Sequence, residues 1–122
     1  MLDHLEVEVR DLAASRRFYS TALAPLGYAV KVEGPSLGFG DERAKDFWIK
    51  SGTPSERPLH YAFNCPSQEQ VRAAYGAAIT GGGRSDRSPV LMPHIHPHYF
   101  AGFVFDPDGN LVEFVTHAAE AA

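Results

Sequence analysis

His4 and His60 stand 56 positions apart, and Glu113 lies between Val112 and Phe114 near the end of the chain. Two imidazoles and one carboxylate suit a divalent transition-metal ion that keeps coordination positions open for water or substrate. Singly, each residue has an ordinary reading: His4 as a surface group near a terminus, His60 as a polar strand opener, Glu113 as a solvated outer-face carboxylate. Glu113 sharpens the choice, because a carboxylate in an apolar strand is costly when buried without a partner. It is either a residue of a half-exposed sheet or a group held for a cation.

The offset of 56 recurs at Asp11 and Ser67, Phe18 and Ala74, Tyr19 and Tyr75, Leu23 and Ile79, and Gly27 and Gly83. A shared offset over strand, cap, helix and stop marks a duplicated unit. Only 6 of the 122 residues are His, so finding one at both members of an equivalent pair is uncommon. A pseudo-twofold relation between the units predicts that His4 and His60 approach one another where the two first strands meet.

The elements that must position them follow from pattern. Leu5 to Val9 alternates as a strand, Asp11 caps a helix with an apolar stripe through Leu26, and Gly27 stops it. Strands are expected at 28–33, 36–40 and 46–50, giving β-α-β-β-β. After a linker at 53–58 the order repeats: a strand from His60 to Asn64, a cap at Ser67, a helix ended by Gly81-Gly82-Gly83, then strands at 88–91 (short), 98–105 and 111–116. Pro107 presets the turn between the last two, and Gly109 or Asn110 supplies the positive-φ residue that closes it. The expectation is one domain over 1–122, with modules 1–52 and 59–117, an α+β fold, and a tail from Ala118 to Ala122 that frays.

Composition narrows the partners. A net charge of −4 gives no basic footprint for nucleic acid, and no segment approaches the apolar length of a membrane helix. No secretory signal pattern precedes the first strand, and the single Cys65 gives no disulfide framework, so the cytosol is expected. Cys65 reads as an inert half-buried thiol.

With Asp11 seven positions after His4, then Phe18-Tyr19, His60 opening the second unit, and Asp106-Pro107-Asp108-Gly109 four residues before Glu113, the chain resembles the vicinal oxygen chelate superfamily. That superfamily holds glyoxalases, bleomycin-resistance proteins and extradiol dioxygenases. The resemblance implies paired modules forming an incompletely closed eight-stranded barrel, with His4, His60 and Glu113 as metal ligands and a homodimer as the assembly. The fourth ligand of the glyoxalase pattern falls on Trp48, leaving a three-ligand face like that of extradiol dioxygenases. The implied activity is a metal-dependent lyase or isomerase that chelates a small oxygenated substrate. The alternatives are a metal-free protein that sequesters an antibiotic-like molecule, and a ring-cleaving dioxygenase.

Other candidates surround this set. His94, His96 and His98 alternate with Ile95 and Pro97 and would share a side if extended, a possible second metal site, although two prolines favour a loop. His98 or Tyr99 would line the cup as a proton-transfer or substrate-orienting group, His98 and Glu113 are the candidate catalytic residues, and Phe39, Trp48, Tyr61 and Tyr99 are candidate pocket walls. The triple glycine follows a helix and lacks the Lys and hydroxyl of a phosphate loop.

Overall fold

The computed structural model describes residues 1–120. Its order is β1 (Leu5–Val9), α1 (Leu12–Leu23) with a 3-10 turn (Ala24–Leu26), β2 (Ala29–Val32), β3 (Leu37–Gly40) and β4 (Phe47–Ser51). Then come β5 (His60–Asn64), α2 (Gln68–Thr80), β6 (Arg84–Leu91), β7 (Phe100–Phe105) and β8 (Leu111–Thr116). Two four-stranded sheets result, ordered β1-β4-β3-β2 and β5-β8-β7-β6. Each is mixed: β1 runs parallel to β4, β5 runs parallel to β8, and the other pairs are antiparallel. The sheets stay separate, so the barrel is open, as expected.

The caps form as their residue types dictate. The Asp11 carboxylate accepts from the Ala14 N–H at 3.1 Å, and the Ser67 hydroxyl accepts from the Gln70 N–H at 3.2 Å. Gly27 takes φ 81° after the 3-10 turn, and Gly109 takes φ 85° in the last turn, a region that disfavours side chains.

Period-two alternation then sorts each strand between two surfaces. Val7, Val9, Leu37, Phe39, Phe47 and Ile49 of the first sheet share one core with Val104, Val112 and Phe114 of the second, and with Phe18, Tyr19, Leu23, Val71 and Ala78 of the helices. The helices therefore pack against the inner faces, and Glu6, Trp48, His60 and Glu113 fall on the outer ones. Buried Tyr19 donates to Asp106 Oδ2 at 2.5 Å, and its oxygen lies 2.5 Å from that of Tyr61. Burial, with the neighbouring Tyr61 and Asp106, holds the Tyr19 phenol well above its usual range.

Two strand boundaries differ from expectation by more than one residue. β6 begins at Arg84, four residues before the anticipated strand, because pairing with β7 sustains a polar run that periodicity does not mark. Pro89 is tolerated on this edge strand, where the register shifts between Arg87 and Val90. β7 begins at Phe100, two residues later than expected. Residues 93–98 instead form turns in which Ile95 N–H donates to Met92 O and Tyr99 N–H donates to His96 O. The tail expected to fray has no helix or strand at 118–120, and its last two residues lie outside the described ones.

Cys65 is 1 % exposed, and burial pushes its thiol from about 9 to about 11. That difference of about two pH units cuts its thiolate fraction near neutrality about 100-fold. Labelling of native protein by iodoacetamide at pH 7.5 is accordingly expected to run at least about 100-fold slower than in urea. Equal rates would show the thiol to be open.

Candidate functional site

The outer face of the second sheet holds a carboxylate that is almost sealed. Glu113 is 3 % exposed, flanked by a small apolar cluster of Ala101, Phe103 and Val115 with Met92, Tyr99 and Leu111 against it. Both of its oxygens are engaged. His60 Nε2 lies 2.8 Å from Oε1, and the Tyr99 hydroxyl donates to Oε2. Burial, reinforced by this bond and by the Glu113 charge, raises the Tyr99 phenol to about 12, so it remains a donor at neutral pH. The imidazole is the open side of the group, with 54 % of the His60 side chain exposed. The result is a carboxylate gripped from within the sheet and capped by an accessible nitrogen base.

His4 is not part of this group, contrary to the approach expected from the repeat. Its Nδ1 lies 2.7 Å from Asp3 Oδ1, and it borders a hollow with Glu6, Ser36, Lys45 and Trp48 on the outer face of the first sheet. The repeat does relate His4 to His60, but β1 and β5 belong to different sheets, and each histidine faces away from the shared core. Among the described residues, no three metal-ligating side chains converge within one chain.

The remaining candidates divide by face. Trp48 is on the outer face of the first sheet: Glu6 pairs with Trp48 as Ala62 pairs with Glu113, so the offset of 56 makes Trp48 the structural twin of Glu113. Phe39 is fully buried, and Tyr61 packs against Phe47 and Phe63 while bonded to Tyr19, so both lie on the core side of their sheets. Tyr61 also borders an inter-sheet cleft of about 400 Å³ with Leu5, Tyr28, Phe47 and Phe63. His98 meets His96 edge-on, with 5.8 Å between ring centroids, and the His96 ring lies 5.3 Å from that of His117. The turns over this segment, as its two prolines favour, break the period-two alignment of His94, His96 and His98. Tyr99, expected to line the cup, holds Glu113 through its hydroxyl; a hydroxyl fourteen residues upstream of an acid carries no pattern that announces such a bond.

The family model described as Glyoxalase/Bleomycin resistance protein/Dioxygenase superfamily matches residues 1–114. The chain belongs to this superfamily. Among similar solved structures is a glyoxalase/bleomycin resistance protein from Albidiferax ferrireducens T118, 26% identical, with TM-score 0.82 over 93% of this chain and 97% of that one. A glyoxalase-related enzyme from Fulvimarina pelagi is 21% identical, with TM-score 0.72 over 95% of this chain and 87% of that one. A structure named oxidase ChaP-H2 is 24% identical, with TM-score 0.69 over 98% and 94% of the two chains. The last two show the fold alone. For this glyoxalase-superfamily chain, the donor types at His60 and Glu113 fit a borderline divalent ion.

Proposed function

We propose that this chain is a metal-dependent lyase or isomerase of the glyoxalase type, acting on a small oxygenated substrate, with its site assembled between two copies in a cytosolic homodimer. The observation that supports this reading is the sealed Glu113, gripped by Tyr99 and His60 on one outer face, while His4 stands on the other sheet's outer face. A buried acid with a histidine as its accessible partner is a ligand pair held at low reorganisation cost. A divalent ion held there would supply Lewis acidity to adjacent substrate oxygens.

The chain's own residues do the rest. His60 and Glu113 are the ligands of one copy, and His4 is the ligand brought by the other. Tyr99 fixes the Glu113 carboxylate in orientation and stays protonated while doing so. His98, beside Tyr99 on the rim, is the group proposed to move a proton.

Mixing tests the shared site. His4→Ala and Glu113→Gln should each be inactive alone. After subunit exchange, half of the dimers are mixed and each carries one intact site, so activity should return to about a quarter of wild type. No recovery, with exchange confirmed by mass, would place the ligands within one chain or remove the metal role.

The inter-sheet cleft of about 400 Å³ favours a second reading, a metal-free protein that sequesters an aromatic molecule among Tyr28, Phe47, Tyr61 and Phe63. Protein purified without an affinity tag that carries no metal, yet binds an aromatic ligand unchanged after Glu113→Gln, would decide for it.

A further inference from the structure

At the repeat-equivalent of Glu113, the first sheet carries the only tryptophan in the chain, and its placement is specific. Gly38 is the cross-strand neighbour of Trp48, and a Cβ at Gly38 would lie 2.8 Å from two atoms of the indole. The missing side chain therefore lets the ring lie against the sheet. Its Nε1–H donates to the Lys45 carbonyl at 2.7 Å, which fixes the ring's rotation. In the twin module Phe103 occupies the place of Gly38, beside Glu113, so bulk and polarity are exchanged between the two positions.

An aromatic ring covering a strand glycine also stabilises a sheet, and that alone would account for the pairing. It would not account for what adjoins the ring: a hollow of about 410 Å³ bordered by Asp3, His4, Glu6, Ser36 and Lys45, within the size range of small-molecule sites. Both carboxylates are already engaged: Asp3 Oδ1 lies 2.7 Å from His4 Nδ1, and Glu6 accepts from Ser36 Oγ at 2.9 Å and lies 3.7 Å from Lys50 Nζ. Among the described residues Lys45 makes no ion pair, which leaves a cation at the rim of an apolar plate.

The geometry points to Trp48 as a stacking platform for a planar aromatic acid, its ring on the indole and its carboxylate toward Lys45. This names a substrate class for the outer face; it rests on the metal-dependent reading only where binding is linked to turnover. The platform itself belongs to one chain and requires no ion. A flat, pinned surface discriminates by shape, because a puckered ring of similar volume meets it at fewer atoms and lacks the favourable ring–ring geometry.

The test uses chelator-treated protein, so that its failure is separate from failure of the metal reading. 2-Naphthoate and its saturated analogue trans-decahydro-2-naphthoate are titrated, following the single indole N–H resonance by NMR and the heat of binding by calorimetry. The expected result is a saturable indole shift, upfield ring-current shifts on the naphthoate protons, and affinity roughly five- to tenfold above the saturated analogue. Trp48→Leu should abolish that preference and Trp48→Phe should keep most of it. Gly38→Ala, which leaves the tryptophan in place but displaces it, should weaken naphthoate binding alone. Lys45→Met should weaken both acids equally. Equal affinities for the two acids in wild type, or a preference that survives Trp48→Leu in folded protein, would overturn the assignment and leave Trp48 as a cover for Gly38.

Discussion

Glu113→Gln is expected to lower metal-dependent turnover by more than about 100-fold while leaving stability within about 1 kcal/mol of wild type. The amide keeps the shape of the carboxylate. Its carbonyl can still accept from the Tyr99 hydroxyl, and its amide can donate to a neutral His60 ring, so neither partner is left bare. What disappears is the charge, and with it most of the affinity for a divalent ion. Glu113→Ala is different, since it strips both partners at once in a site that is 3 % exposed. It should cost about 1–3 kcal/mol in stability besides the activity. Measuring turnover, bound metal and urea unfolding on both variants separates the roles. A Glu113→Gln protein that retains its metal and its turnover would remove Glu113 from the ligand set.

Asp106→Ala should destabilise the fold by about 3–4 kcal/mol. The reason lies in how many donors converge on one buried carboxylate. Tyr19 O–H reaches Oδ2 at 2.5 Å, the Asn110 side-chain amide reaches Oδ2 at 3.1 Å, and the N–H groups of Asp108 and Asn110 reach Oδ1 at 2.9 and 2.8 Å. Asp106 is 5 % exposed and Tyr19 is fully buried, so water cannot replace the lost acceptor at the hydroxyl. The same carboxylate ties α1 of the first module to the last turn of the second, which makes the loss global. Tyr19→Phe should cost less, about 1–2 kcal/mol, because Asp106 keeps its backbone donors. Urea unfolding followed by circular dichroism checks both, and a loss under about 1 kcal/mol for Asp106→Ala would show that the turn holds without its carboxylate.

The duplication, the helix caps and the last turn were all legible because each is a local rule. Asp11 and Ser67 cap because their oxygens reach N–H groups three residues on. Alternation from Leu5 to Val9 assigned one face to the core because side chains in a strand must alternate. Expectation failed where long-range pairing supplied the stabilisation. The polar start of β6 at Arg84 exists because β7 lies beside it, and β7 itself begins only at Phe100, two residues later than its pattern suggests.

Sequence by itself determined the two equivalent modules, their superfamily resemblance, and the isolation of Glu113 in an apolar strand, since residue type and spacing encode all three. It could not assign the directions of the faces in space. Only the tertiary structure separated His4 from His60, turned Phe39 and Tyr61 into the interior, and set the Tyr99 hydroxyl on Glu113. Those relations depend on packing both sheets against a common pair of helices, a sum of contacts between residues far apart in the chain that no short-range period records.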